Sequence, residues 1–147
     1  MEGGFGCGQV RYTINAPQIP VVYACHCTDC QTQSGSAFAL QMPMFESMLS
    51  LSGDFISGEF TLPSGAISTV FSCPKCLMRI YTRNGNRPGM VTVRAGTLHD
   101  SKNVVPKFHL WVGSRQSWVV IPEGAISMEE QPRAVAEWMR LLTPEVS

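Results

Sequence analysis

Charge is what this sequence has least of. Only 15% of its 147 residues are Asp, Glu, Lys or Arg, against roughly 25% in an ordinary soluble domain. Acids and bases balance at 11 each, and the pI lies near 6.8. A chain with no net charge offers no long-range field to gather nucleic acid or an anionic membrane, which disfavours a general nucleic-acid binder. Long hydrophobic runs are also missing: none approaches the roughly 20 apolar residues that cross a bilayer. The opening MEGGFGCGQVRY has neither the basic start nor the apolar stretch of a secretory signal. The expectation is a cytoplasmic protein with no membrane and no nucleic-acid partner. Thiols stay reduced there, so the six cysteines point to metal or thiol chemistry before disulfides. Internal repeats, low-complexity tracts and linkers are absent too, and the length suits one domain over residues 1–147.

What is present is a substantial core: 44% of the residues are hydrophobic, which excludes disorder. The balanced charge is unevenly spread. Between Lys75 and Arg115 eight basic residues face one acid, Asp100, a net of +7. The flanking segments are acidic, at −4 before it and −3 after it. The middle segment is either a solvated basic face or a site for a small anion.

Period-2 alternation and β-branched residues dominate, predicting strands at 9–14, 19–24, 37–42, 48–51, 67–72, 80–83, 91–94, 107–112 and 117–121, with Gly- and Pro-containing turns between them. Helical periodicity is confined to the C-terminus, about 132–142, where Pro132 suits the first turn and Val135, Trp138, Met139 and Leu142 form an apolar stripe. The fold expected is mainly β with a short C-terminal helix.

The cysteines fall into three groups. Cys25-His26-Cys27-Thr28-Asp29-Cys30 superposes a CxC and a CxxC, so three sulfurs leave one tight turn and can reach a single zinc ion at about 2.3 Å each. Three ligands leave a fourth position open, as catalytic zinc does and structural zinc does not. Cys73-Pro74-Lys75-Cys76 has the form of a zinc knuckle, which supplies two ligands; Cys7, in a glycine-rich turn, is the cysteine left over. Two rival readings stay open here. A redox CxxC would need a helix N-terminus within a βαβ pattern, and a purely structural zinc at the triple cluster would need closing by His26, His99, His109 or an acid.

Four stretches together resemble a known family: Gly6-Cys7-Gly8-Gln9-Val10-Arg11-Tyr12; Cys25 to Cys30 with Ser34-Gly35-Ser36-Ala37-Phe38 after it; Phe71-Ser72-Cys73-Pro74-Lys75-Cys76; and Ala95-Gly96-Thr97-Leu98 followed by His109-Leu110-Trp111-Val112. Over roughly residues 3–132 the chain resembles the glutathione-dependent formaldehyde-activating enzymes, a family that also includes the centromere protein V type of domain. The resemblance implies an antiparallel β-tent zinc-binding fold with one catalytic and one structural zinc. Cys25, Cys27 and Cys30 would hold the catalytic ion, and Cys7, Cys73 and Cys76 the structural one. Two departures fall at the structural site. Phe5 stands where the family has a further cysteine, and Leu77 where it has glycine. The second zinc is therefore expected to be weakened, completed by water or another side chain, or replaced by packing of Phe5 and Leu77.

The activity implied is that of a carbon–sulfur lyase, in which the glutathione thiol and formaldehyde condense to an S-hydroxymethyl adduct. Glutathione carries two carboxylates, so its site needs Arg, Lys or backbone N–H donors; the basic middle segment and the loop Ser34, Gly35 and Ser36 are the candidates. A small-molecule thiol and a small aldehyde are the partners expected. The alternative from another class is a zinc-stabilised interaction or chaperone-like domain, distinguished by whether a fourth protein ligand closes the triple cluster.

Overall fold

The structure, a computed structural model, describes residues 1–62 and 64–144. In chain order its regular elements are β1 (Glu2–Gly4), β2 (Arg11–Ile14), β3 (Tyr23–Cys25), α1 (Thr28–Ser34), β4 (Ala39–Phe45), β5 (Leu49–Ser52), β6 (Ile56–Thr61), β7 (Ile67–Ser72), β8 (Arg79–Asn84), β9 (Met90–Arg94), β10 (Phe108–Leu110), β11 (Ile126–Ser127) and α2 (Val135–Leu142). The protein is mainly β, as its alternation predicts. None of its described helices is long and apolar enough to cross a membrane.

The chain divides into two compact units. The first comprises Met1–Ile19 and Pro43–Asn103. It holds the antiparallel three-stranded sheet β1-β2-β5 and the antiparallel run β6-β7-β8-β9. Its interior takes the inward residues of the alternating strands: Val10, Tyr12 and Ile14 from one sheet, Ile80, Val91 and Val93 from the other. Burying the Tyr12 ring needs a partner for its hydroxyl, which donates to Thr97 Oγ1 at 2.7 Å; that oxygen in turn donates to the Arg94 carbonyl.

The second unit comprises Pro20–Met42 and Val104–Ser147. Here β4 pairs antiparallel with β3, but β3 with β10 and β10 with β11 are parallel. The antiparallel expectation thus holds except around β10. That strand follows a long excursion through the first unit instead of a hairpin turn, so it is free to enter in the same direction as β3. The core is Phe108, Leu110, Trp138 and Leu141, with Tyr23 stacked on Phe108 at 5.1 Å.

Several expectations are corrected. Residues 117–121 form no strand, and Trp118 and Val120 face solvent. The helix α2 docks through Trp138 and Leu141, while Val135 and Met139 are exposed, so the apolar stripe is out of phase with the buried face. Pro132 lies before the helix, where its carbonyl accepts the Trp138 indole N–H at 3.1 Å. A second helix, α1, occupies the place expected to be a tight turn.

Candidate metal centres

Strand β3 ends on Cys25, and the chain turns directly into α1. Cys27 is the N-cap: its backbone is extended and its sulfur accepts the Cys30 amide at 3.3 Å, the service that Ser or Asp usually provides. That cap explains why CHCxxC brings three sulfurs together. Cys25 comes off the strand end, Cys27 sits at the cap, and Cys30 lies one turn into the helix and faces inward. The loop is anchored at the His26 carbonyl, which accepts from Gln31 Nε2 at 2.8 Å and from Ser114 Oγ at 3.1 Å. Sequence reasoning passed over both anchors, since neither residue type signals a role at that spacing.

The three sulfurs lie within 4.8 Å of one another. The Cys25 thiol donates to Cys27 Sγ at 3.4 Å. Hydrogen bonds from Cys25 and Cys30 pull Cys27 well below the ordinary thiol value, outweighing burial. Hydrogen bonding with Cys27 and Cys30, and then burial, push Cys25 up. Of the three sulfurs Cys27 is thus the one whose thiolate the cluster favours, and the three ligand atoms converge closely enough to hold one cation. This soft donor set fits zinc. Cys25 and Cys30 are buried, whereas Cys27 is partly exposed, so the cluster opens on the Cys27 side.

No histidine or carboxylate among the described residues joins either trio of cysteines. His26 sits between two candidate ligands, yet its Nε2 shares a hydrogen bond with His109 Nδ1 at 3.0 Å in the core. Burial, then repulsion from His109 and Arg115, lowers His26 to about 4, and burial lowers His109. The two rings form a neutral internal pair. His99 belongs to the other unit, its amide bonded to the Glu2 carbonyl. Among the described residues, none of these histidines and no acid closes the triple cluster.

The second trio forms in the first unit. Cys7 Sγ lies 3.7 Å from Cys73 Sγ and 3.6 Å from Cys76 Sγ. The knuckle is held by Leu77 N–H to the Cys73 carbonyl at 2.8 Å and by Cys73 N–H to the Met78 carbonyl at 3.0 Å. Burial opposes ionisation of Cys73, but the amides of Cys76 and Lys75 outweigh it and its thiol is lowered. This trio also fits zinc. Leu77 adopts φ +64° and is 68% exposed, so it does not replace a metal by packing, contrary to that branch of the expectation. A left-handed position suits the glycine that is missing there. Phe5 is half-buried and lies in the turn that presents Cys7, where its carbonyl accepts the Gly8 amide at 3.0 Å.

An open groove of about 510 Å³ runs beside α1, lined by Gln31, Thr32, Gly35, Ser36, Gln116 and Trp118. Gly35 and Ser36 are therefore placed on it. Their amides, however, already serve the loop: Gly35 N–H donates to the Gln31 carbonyl at 2.9 Å and Ser36 N–H to Ser34 Oγ at 3.2 Å. Ser34 Oγ itself donates to the Phe38 carbonyl. None of the lining residues is charged, and the nearby Arg115 donates to the Val112 carbonyl at 2.9 Å. The basic middle segment therefore sends no cation into this groove. Trp118 is the lining residue that strand periodicity misassigned.

The sequence matches the family model described as glutathione-dependent formaldehyde-activating enzyme over residues 1–114. No curated protein matches it. Among solved structures it is similar to the crystal structure of a Rhodobacter sphaeroides protein determined as a structural-genomics target. The TM-score is 0.55 and the identity 17%, over 72% of this chain and 98% of that one. At that identity the likeness bears on the fold alone.

Proposed function

The chain belongs to the glutathione-dependent formaldehyde-activating enzyme family, and we propose on that basis that it condenses a thiol such as glutathione with a small aldehyde such as formaldehyde. The observation that carries this reading is the trio Cys25, Cys27 and Cys30, polarised on Cys27 and without a fourth protein ligand among the described residues. An interaction module stabilised by zinc would close that position. In the reaction the thiol S–H bond and the carbonyl π bond give way to a C–S and an O–H bond, and the sulfur proton ends on the former carbonyl oxygen.

Cys25, Cys27 and Cys30 would hold the catalytic zinc, and Cys7, Cys73 and Cys76 the structural one. When bound, zinc at the first site supplies the pull that makes a thiol a thiolate and polarises a carbonyl oxygen. The protein's own residues do the positioning. Gln31 and Ser114 fix the loop through the His26 carbonyl. The neutral His26–His109 pair backs it without adding positive charge beside the ligands. The groove beside α1 accepts the body of the thiol against Trp118, and with no cation in its lining it leaves the ligand's carboxylates toward solvent.

The test uses zinc-loaded protein with glutathione and carbon-13 formaldehyde at equilibrium, reading exchange between free aldehyde and adduct by NMR. Wild type is expected to accelerate exchange over the spontaneous rate. Cys27→Ser is expected to lose that acceleration while staying folded, because serine is itself a good N-cap. Equal exchange with wild type, with the variant and with no protein would refute the proposal.

A further inference from the structure

One polar side chain is out of place in the second unit. Strand β4 reads Ala-Leu-Gln-Met-Pro-Met-Phe, and every residue from Gln41 to Met44 is buried. Gln41 is only 7% exposed. Its Nε2 donates to Cys30 Sγ at 3.5 Å, and its Oε1 is buried with no partner. An unpartnered buried amide oxygen is a net cost to folding, one that methionine, of similar size and common in this strand, would not incur. Core packing alone does not account for glutamine here.

We infer that Gln41 is a positioning residue of the Cys25–Cys27–Cys30 centre, its side-chain amide orienting Cys30 as a metal ligand and offsetting charge on that sulfur. The inference rests on the reading that this trio holds metal. Three features support it. The bond reaches a sulfur, and a sulfur accepts strongly only when it carries negative charge, as it does on a metal. Turning the amide over would set its oxygen against that charge, so the N–H orientation is the one the sulfur selects. The contact also comes from a different element than the ligand. Cys30 is carried by α1 and Gln41 by β4, whose first residue, Ala39, pairs with Cys25. The amide therefore ties the helix-borne ligand to the strand that also registers the strand-borne one. Outer-shell partners of this kind typically alter metal affinity by about 10–100-fold.

A structural role and a positioning role predict different signs. In Gln41→Met the orphan oxygen disappears, so the metal-free protein should unfold at the same denaturant concentration as wild type or a higher one. Metal at the trio should nonetheless be released about 10-fold more readily. Site-specific release is read from the cadmium-113 resonance of the trio during chelator titration. Unchanged release would overturn the inference.

A second measurement needs no variant. In wild type loaded with cadmium-113, magnetisation should pass between the Gln41 side-chain amide proton and the metal through the N–H···S bond. Cadmium bound at the trio without that transfer would overturn the role of Gln41 and leave the metal reading intact. Failure of cadmium to bind the trio would overturn both, whereas transfer without thiol–aldehyde exchange would remove only the proposed reaction.

Discussion

His26 Nε2 lies 3.0 Å from His109 Nδ1, and no part of His26 is exposed. The two residues are 83 positions apart, and the parallel pairing of Cys25 with Leu110 brings them side by side. His109→Ala removes the hydrogen-bond partner of His26 Nε2, and Nδ1 of the same ring already has none among the described residues. The expected loss is about 2 kcal/mol or more, from an uncompensated buried nitrogen and a cavity. Denaturant unfolding of the metal-free protein measures it, and a loss under about 0.5 kcal/mol, the usual size of a surface change, would show that the pair contributes little.

Leu77 holds a left-handed backbone with its side chain in solvent. Leu77→Gly should therefore stabilise the protein. Relief of the left-handed strain, about 1–2 kcal/mol, outweighs the extra unfolded-state freedom of glycine, about 0.5–1 kcal/mol. The expected net gain is about 0.5–1 kcal/mol, read as a higher unfolding midpoint. A lower midpoint would mean that the exposed leucine makes a contact worth more than the strain.

Phe5 sits in the turn that presents Cys7, whose sulfur is within 3.7 Å of both knuckle cysteines. Phe5→Cys should supply a fourth thiolate and tighten zinc at that trio, seen as zinc retained at chelator concentrations that strip it from wild type. Retention identical to wild type would place residue 5 out of reach of the ion.

Trp118 is 70% exposed, and its indole N–H donates to Gln116 Oε1 at 2.7 Å on the wall of the groove. Trp118→Ala should leave stability within about 0.5 kcal/mol, as exposed substitutions do. It should raise the thiol concentration needed for half-maximal exchange several-fold. An unchanged concentration dependence would remove the groove from the binding site.

Stripping metal should act on the two centres through different elements. Chelation should destabilise α1, which has seven residues, only Cys30 of them buried, and is too short to stand on propensity alone. Amide hydrogen exchange should rise at Gln31 and Gly35, which bond to Cys27 and Gln31 carbonyls, while β2, paired on both sides, keeps its protection. Exchange at Gln31 and Gly35 unchanged by chelation would show that packing, not metal, holds the helix.

Local chemistry was legible in the sequence. Cys25, Cys27 and Cys30 lie within six residues, so any compact turn or helix start brings their sulfurs together, and the β alternation of residues 67–72 returned β7 with its observed bounds. What failed left no apolar pattern in the chain, or left one that no neighbouring strand answers. Thr28–Ser34 carries no apolar stripe, because a helix so short buries a single side chain and periodicity has nothing to register. Ile56–Thr61 was missed since all six residues of β6 are exposed at a sheet edge. Trp118 and Val120 alternate like a strand, but no neighbouring strand pairs them.

The sequence by itself determined which atoms are available: six thiols in three groups, a mainly β chain and a leucine directly after the knuckle, since spacing and composition are properties of the chain alone. Only the tertiary structure decided which groups meet. Cys7 reaches Cys73 across 66 residues, His26 is drawn toward His109 and away from the sulfurs, and Gln41 is turned onto Cys30. The reason is physical: a side chain reaches a few ångströms, so partners far apart in sequence meet only where strand pairing and burial bring their backbones together.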